Sequence, residues 1–158
     1  MEPLIVYSYL PDEEPFYSER FEVLPLLCES RFDYSEGLAG VWDLDRTLVN
    51  VEHDMRVSDD LIQRILDDSH PLVTYAYTLF WASTRSKEHY AQRMNYGEWV
   101  REGAESADYS GIGFARIDPE VRTGPLGRST WQHVDVEVNK VVAGRWAILW
   151  PEVFHDHF

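Results

Sequence analysis

The sequence predicts an α/β fold with a mainly parallel central sheet flanked by helices. Three observations carry that expectation. Short apolar runs bounded by charge or turn residues mark buried strands. Helical patterns separate these runs in the early order β-α-α-β-α-β, and helices between strands impose parallel crossovers. The 158 residues, 44% of them hydrophobic, are long enough for one domain, 1–158, with a sizeable core.

Each element has its own signal. Pro3–Leu10 (PLIVYSYL) is an apolar strand, stopped by Pro11 and an acidic turn. Ser18–Ser30 places Phe21, Leu24, Leu27 and Cys28 at helical spacing behind Ser18 as cap. Pro25 removes a hydrogen bond inside that helix and kinks or shortens it. Glu36–Leu44 is a weaker second helix, and Thr47–Val51 is a buried strand. Asp59–Leu66 is a helix capped by Ser58, with Leu61, Ile62, Ile65 and Leu66 on one face. Pro71–Trp81, rich in Tyr and Thr, is a strand pair or one long strand. Ser86–Ala107 is polar with scattered aromatics, part helix and part loop. Gly111–Ile117 is a short strand. Thr130–Val142 fits two periods: Trp131, Val134, Val138 and Val141 suit a helix, while Val134, Val136 and Val138 suit a strand. The helix is favoured, capped by Ser129 or Thr130 and closed by Gly144. Arg145–Trp150 is a last strand, stopped by Pro151.

Charge and composition exclude several function classes. A net charge of −14 argues against direct binding to a nucleic-acid backbone, which needs a basic face. The acidity is clustered at Asp12-Glu13-Glu14, Asp59-Asp60 and Asp67-Asp68, where solvated helix ends account for most of it. One alternative is a non-enzymatic acidic protein that mimics nucleic acid and blocks a basic partner. Such a mimic spreads carboxylates along one face, whereas here they sit at element ends. No apolar run approaches the ~20 residues of a membrane span, so no membrane partner is expected. No basic start precedes an apolar run, so no secretory leader is expected. The single cysteine, Cys28, excludes an internal disulfide and fits a reducing cytosol. Six Trp and nine Tyr point to aromatic walls as well as aromatic core.

The segment richest in chemistry is Leu48-Val49-Asn50-Val51-Glu52-His53-Asp54. Alternation along the strand puts Glu52 and Asp54 on one side, where the chain leaves the sheet. In open α/β sheets ligands bind outside the carboxyl ends of the strands. Two carboxylates there suit a divalent cation, which takes oxygen ligands. An Asp after a strand is more commonly a cap or turn former. Here Ser58-Asp59-Asp60 already supplies a better cap for the next helix. Phe154-His155-Asp156-His157-Phe158 forms a second cluster of metal-ligand types.

Two family resemblances compete. Val41-Trp42-Asp43-Leu44-Asp45-Arg46-Thr47-Leu48-Val49 resembles the D-x-D-x-T-[LV] nucleophile motif of haloacid-dehalogenase phosphatases, and Leu79–Arg85 resembles their second motif. That reading makes Asp43 the nucleophile and Asp45 the acid/base. The segment ahead of Asp43 is less apolar than the family's strand, and the late magnesium-binding acidic pair is absent.

The second resemblance covers more of the chain. Val51-Glu52-His53-Asp54, the helix Leu61–Leu66 and the strand Pro71–Tyr77 come first. Ile112-Gly113-Phe114-Ala115-Arg116-Ile117, Trp131-Gln132-His133-Val134-Asp135 and Pro151-Glu152-Val153-Phe154-His155 follow. In that order they resemble small phage- and actinobacteria-type proteins related to A-type glycosyltransferases. The resemblance implies a compact, Rossmann-like domain that binds a nucleoside-diphosphate sugar against a divalent metal and passes the sugar to an unidentified acceptor. It makes Asp54 the strand-end metal ligand and His155 or His157 the late one. Glu52 becomes a ribose or metal contact. Ser8, Tyr9 and Arg116 fall on the nucleotide side, Arg116 against a phosphate or Asp54. Asp135 becomes the base of an inverting transfer. Imidazole ligands favour Mn²⁺, with Mg²⁺ as the alternative. The chain is short for both halves of such an enzyme, so a trimmed enzyme and an inactive relative both fit.

Overall fold

The computed structural model describes residues 2–81, 86–95 and 98–150. Its centre is a seven-stranded sheet. The strands are β1 (Leu4–Tyr9), β2 (Glu22–Leu27), β3 (Leu48–Glu52), β4 (Leu72–Tyr75), β9 (Ser106–Ala107), β11 (Phe114–Ile117) and β12 (Trp146–Leu149), in the order β2-β1-β3-β11-β4-β12-β9. β2, β1 and β3 run parallel, and so do β4 and β12. β11 lies antiparallel between β3 and β4, and β9 is antiparallel to β12. The sheet is thus mixed but mostly parallel in direction. Two smaller sheets complete the strands: a hairpin of β5 (Thr78–Trp81) with β6 (Ser86–Tyr90), and the order β10-β7-β8. In the latter, β7 is Gln92–Asn95, β8 is Glu98–Trp99 and β10 is Tyr109–Ser110.

Both faces of the large sheet are covered. On one face Leu4, Val6 and Leu48 pack against Leu38 of helix α1 (Asp33–Ala39) and Val134 and Val138 of helix α3 (Val134–Lys140). On the other, Ile5, Val49, Val51 and Val73 pack against Ile62 and Ile65 of helix α2 (Asp59–Asp67). The alternation of β1 and β3 between these clusters is the period-two signature of strands buried on both sides. The Ser58 hydroxyl accepts the Leu61 amide at 3.2 Å and caps α2 as expected. A 3-10 turn at Trp131–His133 leads into α3, so the helical reading of that segment holds, but neither Ser129 nor Thr130 supplies a side-chain cap and the helix closes at Val141 rather than Gly144.

Two expectations are corrected in type and one in extent, the second helix running Asp33–Ala39 rather than Glu36–Leu44, with turns following it. Ser18–Ser30 is not a helix, because Glu22–Leu27 forms an edge strand parallel to β1. There Val23 packs with the α2 side, while Leu24, Leu26 and Cys28 pack with the α1 side. Pro25 is tolerated because β2 lies at the edge of the sheet. Ser18 caps nothing here. Its hydroxyl donates to Asp59 at 2.6 Å and accepts the amides of Arg20 and Phe21, tying the loop to α2. The second correction concerns Ser86–Ala107, whose described part forms the short strands β6 to β9 where helix was expected, with loop at 100–105. Their partners come from elsewhere in the chain, such as Tyr109 opposite Arg93, and tertiary pairing overrides weak local preference.

Candidate active-site cleft

The carboxyl ends of β1 and β3 stand side by side, with Ser8 opposite Glu52. Above them opens a cleft of about 590 Å³. Ser8, Tyr9 and Leu10 line it together with Cys28–Arg31, the segment leaving β2. Tyr34 of α1, Tyr77 and Ile112 form the middle with Glu52–Asp54. Trp131, Gln132 and Asp135, at the start of α3, complete the lining, with Trp131 beside Arg31. Five of the residues singled out in the sequence, Ser8, Tyr9, Glu52, Asp54 and Asp135, therefore share one concavity although they are scattered along the chain.

Glu52 is held from two sides. Its amide donates to the Gly113 carbonyl at 2.9 Å, and its Oε2 accepts the Tyr34 hydroxyl at 2.8 Å. That hydroxyl in turn accepts Asn50 Nδ2 at 2.6 Å, and the same Nδ2 donates to the Ile112 carbonyl at 2.7 Å. Asn50 and Glu52, two apart on β3, thus reach Tyr34 on the same face. Burial, then the Asp54 charge, push the Glu52 carboxyl from 4.5 up to about 8, against an opposing pull from the Tyr34 hydrogen bond and with a lesser push from Asp135. Burial and the Glu52 charge also raise the Tyr34 and Tyr77 hydroxyls well above the usual phenol range.

Asp54 lies in the turn that follows β3, half-buried, and the Met55 amide closes that turn on the Glu52 carbonyl at 3.0 Å. His53 is engaged beside it, its Nδ1 2.9 Å from Glu13 Oε2. Asp135 Oδ2 accepts the Tyr109 hydroxyl at 2.8 Å. Asn139 Nδ2 donates to the carbonyls of Asp135 and Ser110, both at 2.7 Å, and Asn139 Oδ1 accepts Trp146 Nε1 at 2.9 Å. These bonds fix α3 against β10 and β12, so Asp135 is positioned by tertiary structure.

Glycine permits the close packing of the middle wall. A Cβ on Gly111 would collide with the Tyr77 hydroxyl and meet Ala91 Cβ at 3.1 Å. A Cβ on Gly113 would meet Met55 Sδ and the Tyr77 ring at 3.0 Å. With neither present, the Tyr77 hydroxyl accepts the Gly113 amide at 3.1 Å and holds the chain entering β11.

Arg116 requires a correction. Its position in β11 is opposite Val49 and Val73, away from the carboxyl end of β3. The guanidinium pairs with both oxygens of Asp118 at 3.0 Å and donates to the Ile65, Leu66 and Asp68 carbonyls at the end of α2. It is a C-terminal helix clamp rather than a cleft residue. Asp43 and Asp45 lie exposed in the turn entering β3, at the opposite end of the strand from the cleft. His155 and His157, and the Ser83 and Thr84 of the phosphatase-like second motif, lie outside the described residues. Among the described residues no three His, Cys, Asp or Glu side chains form a group that could hold a metal ion by themselves.

Tyr34, Tyr77, Tyr109 and Trp131 were not singled out as site residues from the sequence. The aromatic richness of the chain hinted at such walls but did not say which rings they were. Among the described residues no helix is long and apolar enough to cross a membrane.

No protein-family model matches the chain, and no curated protein matches it. Among solved structures the chain is similar to A197 from STIV, with a TM-score of 0.55 and 14% identity, over 95% of this chain and 82% of that one. Likeness at that identity extends to the fold: a mixed α/β architecture around a large, mostly parallel sheet.

Proposed function

We propose that the cleft binds a nucleoside-diphosphate sugar together with a divalent cation, Mn²⁺ or Mg²⁺, and that the protein is a glycosyltransferase of the A type or a close functional relative. The observation that carries this reading is the convergence of Glu52, Asp54 and Asp135 with Ser8 and Tyr9 in one cleft at the carboxyl ends of parallel strands.

The donor set fits a cation shared with its ligand. Cations of the Mg²⁺ type are commonly held by one or two carboxylates plus substrate phosphates, so a complete protein cage is not required. Burial raises Glu52 most and the Asp54 charge next, and such a cation would relieve that charge. When bound, the cation supplies charge neutralisation for the leaving diphosphate. Asp54 would hold it. Tyr34, donating to Glu52, fixes that carboxyl toward the middle of the cleft. Asp135 accepts the proton of the acceptor hydroxyl, and Tyr109 keeps one of its oxygens engaged so that the other faces the reaction. Carboxylates gathered into a concavity favour this function over nucleic-acid mimicry, which calls for a convex acidic face.

The reading is tested by calorimetric titration of UDP, GDP and ADP with and without Mn²⁺, on the parent protein and on Asp54→Asn. The parent should bind one nucleotide only when Mn²⁺ is present. Asp54→Asn should weaken that binding roughly a hundredfold, ~3 kcal/mol, while leaving the melting temperature without ligand near the parent's. Equal binding by the two proteins, or no binding by the parent, overturns the assignment.

A further inference from the structure

Trp131 is 57% exposed, a large apolar side chain left in water at the rim of the cleft. An aromatic ring exposed on the lining of a cleft is placed to pack against a ligand held there. The ring is set on a firm base, because the Trp131 amide donates to the Arg31 carbonyl at 2.8 Å and the turn it opens runs into α3. Four residues on is Asp135, whose Oδ2 is taken by Tyr109 and whose Oδ1 accepts no hydrogen bond from the described residues. Between them Gln132, exposed on the same cleft wall, offers an amide that both donates and accepts.

We propose that Trp131, Gln132 and Asp135 form a saccharide-binding shelf, and that the acceptor of the sugar transfer is itself a carbohydrate whose ring lies on Trp131. An aliphatic ring face studded with hydroxyls matches a flat aromatic surface flanked by an open carboxylate oxygen and an amide. The hydroxyls donate to Asp135 and exchange hydrogen bonds with Gln132, while the C–H face covers the indole. A nucleotide suits this end less well. Its phosphates would approach Asp135. Of the described guanidinium groups nearby, that of the exposed Arg31 lies over Phe32, 5.1 Å from the ring centroid, and that of Arg93 lies over the Tyr109 ring. The acceptor role rests on the glycosyl-transfer reading. The saccharide affinity does not.

Saturation-transfer NMR with methyl β-galactoside, methyl α-glucoside and methyl α-mannoside tests the shelf, with uridine, guanosine and adenosine as competing probes. At least one glycoside should bind the parent. Trp131→Ala should weaken it about tenfold, and Trp131→Phe, which keeps a ring, should weaken it less. Gln132→Ala should also weaken it without affecting the fold, since that side chain is exposed. The proposal is overturned if no glycoside binds the parent, if Trp131→Ala binds it equally, or if only a nucleoside saturates and depends on Trp131. Glycoside binding lost in Trp131→Ala, in a protein that binds no nucleoside diphosphate with Mn²⁺, leaves the shelf standing and removes the transferase reading.

Discussion

Glu52 sits where the end of β3 meets two further carboxylates, and burial with their charge lifts its carboxyl to about 8. The folded-state value lies above the unfolded one, so between the two the native protein keeps a proton that the unfolded chain has released. The stabilisation is therefore fully present below 4.5 and is lost as pH rises through about 8. Glu52→Gln keeps an acceptor for Tyr34 and removes the charge. Without ligand, the variant should be more stable than the parent near pH 8, on the order of a few kcal/mol, and the advantage should vanish near pH 4. Urea melts of both proteins across that range check it, and an advantage independent of pH would sink the idea. At this scale the sequence was informative where a residue's role is set by its position at a strand end, as for Glu52 and Asp54. It misled at Arg116, because the Asp118 and α2 carbonyl partners that claim the guanidinium are set by chain crossings that no local pattern encodes.

The elements divide in the same way. β1, β3, α2 and β12 were legible because each is a short apolar or amphipathic run whose own pattern fixes its type. β2 was not, since its apolar residues satisfy a helical spacing and a strand alternation equally well, and only the neighbouring β1 decides between them. The segment entering β11 shows how an element can depend on an absent side chain. Gly111→Ala should destabilise the protein by ~1–3 kcal/mol, because its methyl group meets the Tyr77 hydroxyl. Tyr77→Phe removes that hydroxyl and also orphans the Gly113 amide, so it costs stability alone. Combined, the two changes should cost less than the sum of their separate effects, a coupling readable in a double-mutant cycle. Strict additivity would show that the contact does not limit this turn.

For the whole molecule, the placement of β11 and β12 sets an order in time. Among the described residues β4 pairs with β11 and β12 alone, and the side of β3 away from β1 is covered by β11 alone. As the chain emerges from its amino end, β2, β1 and β3 can zip together at once, yet β4 has nothing to bond until residues beyond Gly113 exist. Until then β3 presents a bare backbone edge, the kind of surface on which partly folded chains associate. The cleft inherits this delay. Glu52 and Asp54 are made early and Asp135 late, so the smallest of the pushes on Glu52, the Asp135 charge, is added only at the last step of assembly. Pulse-labelled hydrogen exchange during refolding should find β4 amides protected in the same phase as those of β11 and β12, after β1 and β3. Protection of β4 together with β1 would mean that it finds a temporary partner, and that the native order is reached by exchange rather than by addition.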